Sequence, residues 1–257
     1  MLGAIAGDIV GSIYEAAPIK TKDFPLFGTG VSFTDDTVCT VAIADALLSG
    51  GDFAQYLRDY VRRYPGRGYG GIFVRWAQTP GMPAYGSWGN GAAMRVSAVA
   101  WLAADEATAL ATAARSAAVS HDHPDAIAGA QAVVLAAWLA RHGAAPGAIR
   151  REIAARFGYD LSQSVEQIRT WYGFDVSSQG TVSPALVCAL EATGYEDTIR
   201  NAVSLGGDSD TLACIAGGIA EALHGLPPEI GRQTRSHLDD RLLSVVDRFY
   251  QIIERDA

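Results

Sequence analysis

Two short acidic clusters, each standing where an apolar helix begins, place the tightest condition on how this chain can fold. Gly206-Gly207-Asp208-Ser209-Asp210-Thr211 leads into a small-residue apolar run from Leu212 to Leu223, and Thr34-Asp35-Asp36-Thr37 leads into another from Val38 to Leu48. One carboxylate in a first turn suits the positive end of a helix dipole. Thr and Asp also serve as N-caps, accepting from a free backbone N–H. Neither role needs doubled acids at both helix starts. The two glycines before Asp208 let the backbone turn tightly and approach a ligand. Four carboxylates and two threonines make an oxygen-rich donor set of the kind hard cations such as Mg²⁺ take. A fold that satisfies them has to bring two distant helix N-termini to one place.

The rest of the pattern is helical. Apolar residues recur at helical spacing over residues 2–17, and Gly3, Gly7 and Gly11 repeat every fourth residue, marking a face where another element packs closely. Asp8 and Glu15 stand two turns apart and so share one face of that helix. Residues 18–33, with Pro18 and Pro25, read as a loop. Thr34 caps a helix to about Leu48, and Asp52 caps another over 53–63. Further helices are expected over 70–78, 92–103, 105–119, 125–142, 146–157, 183–193, 195–204, 209–224 and 234–254, with one short helix inside the irregular segment 158–180. No convincing alternating run argues for a strand. The expected architecture is all-α, one compact domain over 1–257.

Bulk properties exclude several function classes. Hydrophobic residues make up 49% of the 257 and charged residues 19%, enough for a sizeable core. A net charge of −8 argues against general binding to nucleic acid or anionic membranes. Cys39, Cys188 and Cys214 are scattered through apolar helical runs and read as reduced core residues. Met1 to Val10 carries Asp8 and no basic segment, so it does not read as a signal peptide. No run reaches the ~18 uninterrupted apolar residues of a membrane span. A cytoplasmic monomer is the default.

Residues 64–91 are dense in Gly, Pro and aromatics and end in a tight turn, Gly86-Ser87-Trp88-Gly89-Asn90-Gly91, that feeds a helix. Such a turn suits an anion beside a stacked base. Core packing of Trp88 is an equal alternative.

Taken together, several of these pieces resemble the ADP-ribosylglycohydrolase family, which includes the dinitrogenase-reductase-activating glycohydrolase and its relatives. They are Gly7-Asp8-Ile9-Val10-Gly11, Thr34-Asp35-Asp36-Thr37, Gly89-Asn90-Gly91-Ala92-Ala93-Met94-Arg95, Ser120-His121 and Gly206-Gly207-Asp208-Ser209-Asp210-Thr211, in the family's order. The resemblance implies an all-α orthogonal helical bundle with a central metal-binding cleft, a hydrolase that removes ADP-ribose from a modified protein side chain, a polymer or a small conjugate. It also implies two Mg²⁺ or Mn²⁺ ions held by Thr34, Asp35, Asp36, Asp208, Asp210 and Thr211. Glu15 is then the catalytic carboxylate, and Gly86, Ser87, Trp88, Gly89, Asn90, Gly91 and His121 bind substrate. Ser87 stands where the arginine-directed branch carries an aspartate, so the chain looks closer to the serine- and poly(ADP-ribose)-directed branch. An arginine-specific or O-acetyl-ADP-ribose hydrolase and a non-catalytic ADP-ribose binder are the alternatives. Metal-dependent HD-type phosphohydrolases need a histidine ligand earlier than any here, since none precedes His121. A structural role for His121 and the role of Arg95 both stay open.

Overall fold

The computed structural model describes residues 1–255. The first helices are Leu2–Ala16 (α1), Asp35–Ser49 (α2), Phe53–Arg63 (α3), Gly71–Gln78 (α4), Gly91–Met94 (α5) and Val99–Leu102 (α6). Next come Glu106–Ala118 (α7), Pro124–Arg141 (α8), Pro146–Phe157 (α9), Val165–Trp171 (α10) and Ser178–Glu191 (α11). Tyr195–Ser204 (α12), Ser209–His224 (α13), Pro228–Ser236 (α14) and Asp240–Arg255 (α15) complete the order. Among the described residues no strand forms; one isolated bridge pairs Gly89 with Ser177. The fold is all-α.

Local chemistry sets most of the helix starts. The Thr34 hydroxyl accepts from Asp36 N at 3.3 Å, Asp52 accepts from Gln55 N at 2.8 Å, and Asp105 accepts from Thr108 N at 2.7 Å. Gly50, at φ 62°, ends α2 in the left-handed conformation that glycine adopts without strain.

Three expected helices differ from those observed. The span 92–103 is broken: the chain leaves α5 at Arg95 and re-enters helix at Val99. Arg95 reaches inward to Ser116 O at 2.8 Å, while Ser97 lies against α13, where a Cβ on Gly218 would stand 3.1 Å from its own. The span 234–254 is two helices, because Asp239 accepts from Arg241 N and Leu242 N and so caps a new start. The span 183–193 begins earlier, at Ser178, since Ser177 accepts from Gly180 N at 2.9 Å and Pro184 sits inside the helix.

Helix α13 is the centre of the core, buried from Ser209 through Glu221 on every face. It packs against α1, α8, α11 and α12. Its partner α1 runs antiparallel to it with the backbones in contact. A Cβ added to Gly7 would stand 2.0 Å from Ala213 O, and one on Gly11 would stand 2.5 Å from Asp210 Cα. The glycine repeat therefore lays Asp8, Gly11 and Glu15 beside the first turn of α13. Cys39, Cys188 and Cys214 are buried free thiols.

Candidate active site

The N-termini of α2 and α13 meet the C-terminal half of α1 at the floor of a cavity of about 560 Å³. All fourteen residues singled out from the sequence line it: Glu15; Thr34, Asp35 and Asp36; the turn from Gly86 to Gly91; His121; and Asp208, Asp210 and Thr211.

Within the floor, one oxygen from each of Asp8, Asp36 and Asp210 falls within 4.8 Å of the others, and so does one from each of Glu15, Asp208 and Asp210. Asp210 belongs to both groups and joins them. Asp35 lines the cavity beside them, its backbone N–H donating to Arg67 O at 2.8 Å. The Thr211 hydroxyl donates to Asp36 Oδ2 at 3.2 Å, tying α13 to α2.

Asp8 is the residue that reading the sequence undervalued. It is fully buried and accepts four hydrogen bonds: Thr34 N and Thr37 N at 3.0 Å each, the Thr34 hydroxyl at 2.6 Å, and the Thr37 hydroxyl. One side chain of α1 thus orients the first turn of α2. The shared face of Asp8 and Glu15 was the available signal, but helical spacing alone does not show which of the two goes inside.

Burial and mutual repulsion dominate the electrostatics. Burial, then the charge of Asp210, pushes Asp36 far above the usual carboxylate range. Burial, then Asp208, does the same to Asp210. Asp35 is pushed up to about 8 by burial and then Asp8. Burial and the neighbouring Asp208 and Asp8 raise Glu15. Burial also raises Asp8, against the lowering pull of Thr34 and Thr37. Among the described residues no Lys or Arg forms an ion pair with any of these six carboxylates. Asp36 Oδ1 is buried without a hydrogen-bond partner. Buried anions left unpaired are costly. Clustered carboxylate and hydroxyl oxygens, one of them orphaned, fit a divalent hard cation.

The 86–91 turn forms the opposite wall. Several of its backbone donors are already engaged: Gly86 N to Asp122 Oδ1 at 2.6 Å, Gly89 N to Ser87 Oγ at 3.2 Å and Asn90 N to Val176 O at 2.9 Å. The donors left for an anion are fewer than the six residues suggest. Asn90 is buried, and its amide donates to Asp208 Oδ2 at 2.7 Å and Thr181 Oγ1 at 3.1 Å, so it orients an acid of the floor. Trp88 is 52% exposed at the mouth, which removes the core-packing alternative. Ile72, Phe174 and Val176 are exposed around the same mouth. Phe174 and Val176 come from the irregular segment before α11, and nothing in their local pattern marked them. His121 is buried with its ring between Phe73 and Tyr85, centroids 5.9 and 5.8 Å away.

Comparison with known proteins follows the same lines. The family model for ADP-ribosylglycohydrolase matches residues 1–257. ADP-ribosylhydrolase ARH3 of Danio rerio is 25% identical, covering 88% of this chain and 82% of that protein. ADP-ribosylarginine hydrolase Tri1 of Pseudomonas putida (strain GB-1) is 27% identical, covering 100% of this chain and 79% of that protein. A solved structure described as an ADP-ribosylglycohydrolase-related protein complex shares the fold, with a TM-score of 0.73 and 23% identity over 98% of this chain and 97% of that one.

Proposed function

Since the chain belongs to the ADP-ribosylglycohydrolase family, we propose that its cleft hydrolyses the glycosidic bond between ADP-ribose and a modified acceptor. The observation that carries this is the floor itself: six carboxylates drawn together by α1, α2 and α13, with no Lys or Arg ion-paired to them among the described residues, facing a glycine turn and an apolar mouth. Thr34, Asp35, Asp36, Asp208, Asp210 and Thr211 are the residues that would hold two Mg²⁺ ions, or Mn²⁺. Bound there, the metal supplies Lewis-acid polarisation of a ribose oxygen and of water.

The chain's own residues do the rest. Asp8 orients Thr34 and Thr37, and Asn90 orients Asp208. The 86–91 turn, Trp88 and His121 hold the nucleotide part. Glu15 stands at the cavity with one oxygen within 4.8 Å of oxygens of Asp208 and Asp210. Burial, and then the charges of Asp208 and Asp8, raise its pKa and so favour the protonated carboxyl that a general acid needs. A bond forms from the water oxygen to the anomeric carbon as the bond to the acceptor breaks. Glu15 takes the water proton or protonates the departing acceptor.

Among the described residues no helix is long and apolar enough to cross a membrane. The test is a panel of defined ADP-ribosylated substrates, run with Mg²⁺, with Mn²⁺ and with chelator. Metal-dependent release of ADP-ribose from at least one conjugate is expected. Tight ADP-ribose binding without cleavage of any conjugate would make the protein a binder instead.

A further inference from the structure

Arg95 is fully buried, yet among the described residues it has no carboxylate partner. Its Nη2 donates to Ser116 O at 2.8 Å and to Ser120 Oγ at 3.0 Å, while Nε and Nη1 have no partner. A guanidinium only donates, so the Ser120 hydroxyl accepts from it. That hydroxyl is also 2.8 Å from His121 Nδ1. Its single proton has no other acceptor there and goes to Nδ1. A neutral imidazole that accepts at Nδ1 carries its own proton on Nε2. Nε2 lies against the glycine turn, 2.9 Å from where a Cβ on Gly91 would stand, and among the described residues it has no hydrogen-bond partner.

We propose that Arg95 is a positioning residue: through Ser120 it holds His121 as the neutral Nε2–H tautomer, whose proton is donated to an oxygen of the ligand beside Gly91. Burial, and then the charge of Arg95, hold His121 well below its usual pKa and keep the ring neutral. The other titratable groups nearby leave this intact. Tyr85 is pushed up to about 12, the Cys39 thiol is raised far above its usual value by burial, and Asp122 accepts from Gly86 N. Gly91 then lacks a side chain because the ring nitrogen occupies that space. The ligand half of this inference rests on the proposed ADP-ribose chemistry; the ring state does not.

The direct test is nitrogen NMR of histidine-labelled wild-type protein at neutral pH, with the His121 signal assigned by its loss in His121→Gln. An acceptor-type Nδ1 and a protonated Nε2 are expected; Nδ1–H or an imidazolium would overturn the relay. Ser120→Ala is expected to stay folded and to weaken ADP-ribose binding in Mg²⁺ about tenfold, the scale of one hydrogen bond. Unchanged affinity would refute the positioning role. Arg95→Met should add an acid limb to the pH profile of turnover as His121 gains a proton, and Arg95→Lys should suppress it; no difference between the two refutes the role of Arg95. Should Arg95→Met not fold, the wild-type spectrum and Ser120→Ala decide. A wild-type protein that binds no ADP-ribose would refute the proposed function, while the ring signals of the free protein still judge the relay.

Discussion

Gly7→Ala tests whether the α1/α13 crossing sets the geometry of the acidic floor. The added Cβ would stand 2.0 Å from Ala213 O and 2.4 Å from the carbonyl carbon. Real Cβ contacts essentially never fall below 3.0 Å, and the obstacle is backbone in the middle of a buried helix, which has no rotamer to change. The helices must therefore part by about 1 Å, a gap that forfeits roughly a quarter to a half of each dispersion contact along the seam. Overpacking of this kind costs about 1–3 kcal/mol, and a backbone obstacle places it at the upper end. Helix propensity returns about 1 kcal/mol on replacing Gly by Ala. The net loss is about 2 kcal/mol, or a melting temperature lower by roughly 4–8 °C for a chain of this size. Parting the helices also moves Asp8 and Glu15 away from Asp210, and metal sites tolerate only about ±0.2 Å. Added Mg²⁺ should then raise the melting temperature less than in wild type. Gly147→Ala is the control. It lies exposed in α9 with only the tip of Arg151 near its Cβ, at 3.8 Å, and should gain about 0.5–1 kcal/mol. A Gly7→Ala protein that melts at or above wild type and keeps the full Mg²⁺ response would refute the reasoning.

Three further outcomes are expected. Asp35→Asn and Asp208→Asn should each abolish turnover and shrink the Mg²⁺-induced rise in melting temperature with the fold retained; normal rates in both would remove the metal assignment. Glu15→Gln should leave ADP-ribose affinity nearly unchanged and lower kcat at least ~100-fold, the usual scale for a general acid–base group; wild-type turnover would take Glu15 out of the mechanism. In chelator, stability should fall as pH rises from 6.5 to 8. Asp35, raised to about 8, and Asp36 and Asp210, also raised, bind more protons folded than unfolded, so the stability they confer when protonated is lost as pH climbs through their folded pKa values. His121, lowered from 6.5, acts in the opposite sense below that window and at its start, and the three carboxylates outweigh it. Melting temperatures that stay flat or rise in chelator over this range would contradict the repulsive floor, and Mg²⁺ should reverse the trend.

Much of the secondary structure could be read locally because its causes are local. Thr34 and Asp52 cap the helices they were expected to cap, and the acidic starts of α2 and α13 stand where the sequence placed them. Where the reading failed, a local cue lost to packing or was passed over. Arg95 and Ser97 make their buried contacts, to Ser116 O and against Gly218, where the chain has left helix between α5 and α6. Asp239 was a cap in plain view, hidden by a continuous amphipathic pattern. The donor set of the floor was legible as residue types, but Asn90 looked like part of a ligand turn, and only its contact with Asp208 makes it a support for the floor.

By itself the sequence determined the helices, their acidic first turns and the glycine face of α1, because periodicity, capping and backbone freedom act within a turn or two of chain. Only the tertiary structure decided that Asp8 is the buried hub of α2, that Asp210 joins both carboxylate groups, and that Phe174 and Val176 border the mouth. Those relations join residues far apart in the chain, and they exist only once α1 and α13 are pressed backbone to backbone.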